Sequence, residues 1–281
     1  MNNLSEIRKE VYRDRFNDVA FVYSVDLKNW RRNPYTYLKS IFYIEMSAIL
    51  VFVLLKTRIH PNTVTLTYAL CGVIGGILLS IPTNLTILLA IFIFFTKGIL
   101  DWADGPLARL TKRTSVIGEV LDPWGALINS LGFQLGLGFY IAIHSGNIIY
   151  LYLIAIILAL RVGNIRTFTY QYFAGELVDG SRERKAGLEP KTYENTSQSK
   201  QGTGRVLLRL MNFVRDFLDD RARSVDFICL LILIEILFPG VFVTWLVVWA
   251  LAVKHLLIFL GGIFLALRRN WIENTRNSIF K

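Results

Sequence analysis

Residues 85–109 read LTILLAIFIFFTKGILDWADGPLAR, an apolar run that passes directly into two aspartates, a Gly-Pro step and an arginine. A bilayer core takes about 20 apolar residues in helical form. A helix starting near Leu85 has risen ~24 Å by Asp101. The carboxylates of Asp101 and Asp104 therefore fall near a polar boundary, within reach of water and soluble ligands. Acids at that depth are costly and tend to be functional.

Outward from this stretch the same pattern repeats. Apolar runs separated by short polar breaks predict further spans at Asn62–Ser80, Val116–Ile143, Ile148–Tyr170, Val225–Phe238 and Val241–Leu267. With Leu85–Arg109 they make an all-α integral membrane protein of six transmembrane helices. Hydrophobic residues are 53% of the 281, above the usual share for a soluble domain. The breaks Ile81-Pro82-Thr83-Asn84, His144-Ser145-Gly146-Asn147 and Pro239-Gly240 carry no Lys or Arg. The opposite connections do: Arg8 to Lys39, Lys112 with Arg113, Arg182 to Arg215, and Arg268 to Lys281. Positive loops mark the cytoplasmic side, so both termini and the aspartates are expected there. That bias accounts for most of the net charge of +10, and attraction to anionic headgroups or substrates is compatible with it. No basic stripe with interleaved aromatics argues for nucleic acid. Cys71 and Cys229 both lie in apolar runs, which excludes a disulfide framework and argues against zinc. The polar N-terminus shows no cleavable signal pattern.

The remaining apolar run, Ile41–Leu55, is short and carries Glu45. As a seventh span it would reverse the N-terminus, so an interfacial amphipathic or re-entrant helix is expected. This divides the chain into an N-terminal cytoplasmic and interfacial segment, 1–60, and a six-helix membrane domain, 61–281, with a cytoplasmic loop at 176–220. Within that loop Glu176–Gly204 is polar, and Arg205–Asp220 mixes apolar and charged residues at helical spacing.

On a helix Asp101, Asp104, Gly105, Ala108 and Arg109 share an arc of roughly 140°. The next span opens GEVLDPWGA at 118–126, and Gly118, Asp122 and Ala126, four apart, share a face of their own. A short loop makes the two helices neighbours, so Asp122 can face Asp101 and Asp104. Three converging carboxylates repel unless a cation lies between them, and oxygen donors favour magnesium, manganese or calcium. Gly105 and Gly118 leave room for a phosphate or nucleotide, and Arg109 offers it a fork of donors. The structural alternative is an ion cluster, for example Asp101 with Lys97.

The stretch 101–122 resembles the signature of the CDP-alcohol phosphotransferases, D-x2-D-G-x2-A-R-x7–8-G-x3-D-x3-D. Asp101, Asp104, Gly105, Ala108, Arg109, Gly118 and Asp122 match it, and His60-Pro61-Asn62-Thr63-Val64-Thr65 is similar to the Pro-Asn-x-x-Thr opening the family's first span. The resemblance implies a membrane enzyme of phospholipid or related lipid biosynthesis. It would move a substituted phosphate from CDP-diacylglycerol or a CDP-polar alcohol to an acceptor hydroxyl, with release of CMP. It implies Mg2+ or Mn2+ held by Asp101, Asp104 and Asp122, and a substrate site of Asn62, Thr65, Asp104, Gly105, Ala108, Arg109 and Gly118. A homodimer in a bacterial inner membrane or a eukaryotic endomembrane is the family expectation.

One position departs from the signature: Ala126 stands where the family has a fourth aspartate, proposed there as the base. Alanine neither ligates nor accepts a proton, and Glu119 and Asn129 are poor replacements by helical position and chemistry. A variant enzyme with another base, an engineered inactive form, and a natural non-catalytic homologue that binds nucleotide or lipid or scaffolds a partner all remain open. Arg161 and Arg166, at the cytoplasmic end of the fourth span, suit an acidic acceptor or a membrane anchor equally. Lys254 and His255, midway along the last span, are expected to pair with Glu235. Gly72, Gly75 and Gly76 permit close helix packing.

Overall fold

A computed structural model describes residues 3–23, 34–165, 168–169, 222–268 and 272. Among them every regular element is an α-helix: α1 (Leu4–Tyr23), α2 (Pro34–Leu54), α3 (Pro61–Leu79), α4 (Asn84–Thr96), α5 (Gly98–Asp101), α6 (Asp104–Leu110), α7 (Val116–Ser145), α8 (Ile149–Val162), α9 (Ala222–Leu237) and α10 (Thr244–Arg268). The expected loop at 176–204, the amphipathic stretch Arg205–Asp220, Arg166 and the basic residues Lys28, Arg31, Arg32, Arg269, Arg276 and Lys281 lie outside the described residues.

Five stretches among the described residues are long and apolar enough to cross a membrane: Tyr37–Leu54, Pro61–Leu79, Asn84–Leu110, Val116–Ser145 and Thr244–Phe264. The distribution of side chains agrees with lipid as the surrounding solvent. On α3 the buried face is Thr65, Tyr68, Ala69, Gly72, Gly75 and Gly76, while Leu66, Leu70, Val73, Ile74 and Ile77 point outward. Water would select the reverse arrangement; hydrocarbon selects small and polar residues between helices. The all-α membrane architecture is therefore as the sequence implies.

The chain forms two compact units, Met1–Leu151 with Asp219–Val247, and Tyr152–Leu218 with Val248–Lys281. In the first, α3 and α7 run side by side in the same direction with their backbones in contact. A Cβ on Gly76 would land on the Gly132 carbonyl, one on Gly132 would meet the Gly72 carbonyl, and one on Gly136 the Gly76 carbonyl. Gly72 and Gly76 lie one turn apart on α3, as Gly132 and Gly136 do on α7. Each helix begins at a side-chain cap: His60 Nδ1 accepts from Asn62 N–H at 3.3 Å, and Ser115 Oγ from Gly118 N–H at 3.1 Å. The parallel contact then carries the first turns of both helices to one end of the unit. Between α6 and α7 the chain reverses through Lys112 at φ 54°, with Arg113 N–H donating to the Ala108 carbonyl at 2.8 Å, a left-handed C-terminal cap.

Three expectations are modified. The span predicted at Leu85–Arg109 is not one continuous helix. It breaks at Lys97 and again at Trp102–Ala103, so that α4, α5 and α6 follow in series and the two aspartates flank the second break. The span predicted at Ile148–Tyr170 leaves the helix at Gly163–Asn164, a dipeptide of poor helix formers, so α8 is a short apolar helix. The Ile41–Leu55 run belongs to the longer α2, whose Tyr37–Leu54 portion has the length and hydropathy of a span. Glu45, which argued against a span, is provided for within the protein: Arg8 Nε donates to it at 2.8 Å and the Tyr12 hydroxyl at 2.6 Å, both from α1. Partial burial and then the Glu45 carboxylate push the Tyr12 phenol above its ordinary pKa, which keeps it a donor. α2 packs on α5 and α6, at the aspartate end of the unit, through a core that includes Ile44, Val51, Trp102 and Leu107.

Glu235, expected beside Lys254 and His255, is engaged at the start of α10. Its carboxylate accepts from Val243 N–H at 2.6 Å, Thr244 N–H at 2.7 Å and the Thr244 hydroxyl at 3.0 Å, and from the Tyr140 hydroxyl at 2.9 Å. It is an acidic cap on the start of α10, where the helix dipole favours negative charge.

If backbone contact between α3 and α7 organises the unit, Gly76→Val should cost about 3 kcal/mol by overpacking against an unyielding carbonyl. Gly261→Ala in α10, where an added Cβ meets nothing within 4 Å, should instead be neutral or stabilising by ~0.5 kcal/mol. Thermal unfolding of both variants in detergent reads the contrast.

Candidate active site

The site is assembled from the first turns of α3 and α7 and from the broken helix α5–α6. On α3 the Thr65 hydroxyl donates to Asp104 Oδ2 at 2.6 Å, and both side chains are buried. Asp104 Oδ1 accepts from the Gly105 N–H at 2.7 Å, at the opening turn of α6. A carboxylate has about four lone-pair positions, so each oxygen retains acceptor capacity. Thr65 also faces α7: its methyl lies 3.4 Å from where a Cβ on Gly125 would stand. One turn earlier, Asn62 Oδ1 lies 3.3 Å from the corresponding position on Gly118. Asn62, Thr65, Asp104 and Gly118 are thus brought to one end of the α3–α7 pair, although 104 and 118 are far from 62 and 65 in sequence.

Arg109 folds back along α6, its guanidinium 3.5–3.9 Å from the position a Gly105 Cβ would occupy. A Cβ at 105 would be in ordinary contact with it. Ala108 is half-buried on the same short helix, and its carbonyl takes the Arg113 cap. Asp101 ends α5 and is half-buried; Asp122 and Ala126, one turn apart on α7, are exposed. Among the described residues no three acid, histidine or cysteine side chains stand close enough together to hold a metal ion. The donors themselves suit a hard divalent cation: carboxylates from α5, α6 and α7, with neither sulfur nor imidazole among them. Arg161 closes α8, in the second compact unit.

The sequence offered Asp101 as a partner for Lys97 and did not single out Asn129 for that role. This buried ammonium donates to Asn129 Oδ1 at 2.8 Å, and the Asn129 amide donates to the Tyr68 carbonyl at 3.0 Å. The chain α5–α7–α3 is thereby closed by hydrogen bonds one turn below Asp101. The available signal was a lysine and an asparagine inside otherwise apolar runs, since each needs a partner in hydrocarbon.

No curated protein matches the chain. Residues 58–186, which contain α3 to α8 and every signature position, match the family described as CDP-alcohol phosphatidyltransferase. The candidate site lies within the segment that matches this family.

Proposed function

We propose that the protein transfers a substituted phosphate from a CDP-alcohol, CDP-diacylglycerol or a CDP-polar alcohol, to the hydroxyl of an acceptor. The family supports a phosphotransferase role in lipid biosynthesis. The observation that carries the finer reading is the Thr65–Asp104 hydrogen bond, because it joins two parts of the signature that the sequence separates. In the reaction the acceptor oxygen bonds to the phosphorus bearing the donor's alcohol. The bridging oxygen leaves with CMP, and the acceptor's proton passes to a base or to water.

Asp101, Asp104 and Asp122 would hold Mg2+ or Mn2+, which when bound offsets diphosphate charge and that of the leaving CMP. Thr65 and the Gly105 N–H orient Asp104 from both sides. Gly105 and Gly118 leave room for the nucleotide, with Asn62 and Ala108 beside it. Arg109, beside Gly105, offers planar donors to phosphate oxygens. Arg161 and Arg166 remain candidates for an acidic acceptor. The aspartates and both termini belong to the cytoplasmic side by the charge of the loops.

Ala126 favours a second reading, an impaired homologue that binds nucleotide or lipid, or scaffolds a partner. Its exposed methyl stands on α7 one turn beyond Asp122 and accepts no proton. Loss of a general base typically costs ~10²–10⁴-fold in rate.

CMP release measured with CDP-diacylglycerol and CDP-polar-alcohol donors over a panel of alcohol acceptors separates the readings. Release should depend on Mg2+ or Mn2+, fall below detection in Asp104→Asn, and rise by ~10²-fold or more in Ala126→Asp. Silence from both the native chain and Ala126→Asp, with every donor, would sink the enzymatic reading. Thr65→Val keeps the volume but removes the donor to buried Asp104. It should lower stability by about 2 kcal/mol in thermal unfolding and reduce CMP release with it.

A further inference from the structure

The aspartate-bearing helix is interrupted twice, and one helix outside the signature is fitted to both interruptions. In an unbroken helix the Ala103 N–H would take the Ile99 carbonyl. Here it takes Leu100, three residues back, at 3.1 Å. The Ile99 carbonyl accepts instead from the Ser47 hydroxyl of α2 at 2.9 Å. One turn earlier, where α4 gives way to α5, the Phe95 carbonyl accepts from the Tyr43 hydroxyl at 2.7 Å. Tyr43 and Ser47 are four apart on α2, and the carbonyls they serve are four apart on α4–α5, so the two helices meet in register. The fit extends beyond the hydroxyls. A Cβ on Gly98 would collide with the Tyr43 ring, and the Trp102 ring lies edge-on to Tyr43 with centroids 5.4 Å apart. Ser47 is fully buried and Tyr43 nearly so.

We infer that Tyr43 and Ser47 are positioning residues for the signature aspartates: by capping the Phe95 and Ile99 carbonyls they hold the breaks that orient Asp101 relative to Asp104. A carbonyl released by a helix break in an apolar setting needs a donor from elsewhere. Without the two hydroxyls the Ala103 N–H can return to the Ile99 carbonyl and extend α5, while Pro106 still leaves the Trp102 carbonyl without its helical donor. That repair would rotate Asp101 against Asp104, which is tied independently to Thr65. The inference rests on the reading of these aspartates as metal ligands, and it gives α2 a part in that site.

The test uses the full chain in detergent and Mn2+ as probe, with free Mn2+ followed by electron paramagnetic resonance and amide exchange followed over residues 98–104. The pair Tyr43→Phe with Ser47→Ala should weaken Mn2+ binding about tenfold and alter exchange at 98–104. Ser47→Thr, which keeps the hydroxyl, should bind as the native chain does when Tyr43 is intact. Ile49→Ala, on the exposed face of α2, should leave both readouts unchanged. A lowered melting temperature with unchanged Mn2+ affinity and unchanged exchange would reduce α2 to a structural support and overturn the inference. If the native chain binds no Mn2+, the metal reading fails by itself. The exchange pattern at 98–104 then decides the positioning role: altered in the double variant it stands, unaltered it falls.

Discussion

The contact on which the rest of the molecule depends is the backbone-to-backbone approach of α3 and α7 at Gly72, Gly76, Gly132 and Gly136. In lipid there is little hydrophobic gain from pairing two helices, since tails and leucines are equally apolar. Association must come from close packing and hydrogen bonds. Glycine permits the approach, and its regularity on both helices makes it a rail and not a single crossing point. Because the helices are parallel, the rail transmits alignment. The first turns of both, each fixed by its own cap at His60 or Ser115, arrive at the same end. Asn62 then meets Gly118 and Thr65 meets Gly125, with no requirement for long-range order in the intervening chain.

The second organising element is the broken helix α4–α5–α6. A straight helix would present Asp101 and Asp104 in the fixed relation of residues three apart. The turn at Trp102 (φ −92°, ψ −3°) and Ala103 (φ −95°, ψ −31°) releases them from it. Asp104 becomes a first-turn residue of α6 that accepts from Gly105 and reaches Thr65. Asp101 remains the last residue of α5, above Lys97. The breaks are stabilised from outside by α2 and from the other side by the Lys97–Asn129–Tyr68 bridge. The interruption has one local cause, Pro106, which has no N–H for the Trp102 carbonyl; the contacts that brace it come from elements distant in sequence.

That difference explains what the sequence disclosed. The membrane class and the order of the helices follow from hydropathy, a property summed over many residues and insensitive to any one of them. The signature positions at 101–122 follow from spacing, which a helix converts directly into a face. The glycines of α3 were readable as a packing surface for the same reason. Pairings between polar residues in separate spans were not readable, because each such group has several candidate partners and geometry selects among them. Glu235 illustrates this: charge alone recommends Lys254 or His255, yet three donors at the start of α10 engage it. Glu45 is a second case. It weakened the reading of α2 as an apolar helix only because Arg8 and Tyr12, on a different helix, could not be assigned to it in advance.

Lys97 gives the candidate site its electrostatic footing. Three carboxylates at one end of a membrane bundle repel one another most strongly where water is least available to screen them. A mobile cation can offset this only while bound. Lys97 is buried one turn from Asp101 and held in place by Asn129, so its orientation does not depend on any ligand. Of the three carboxylates only Asp104 is buried, Asp101 is half-buried and Asp122 exposed, so Asp101, one turn from Lys97, is the one that shares its field. Removing Asp101 therefore has two effects, on whatever the aspartates bind and on the lysine that shares its field.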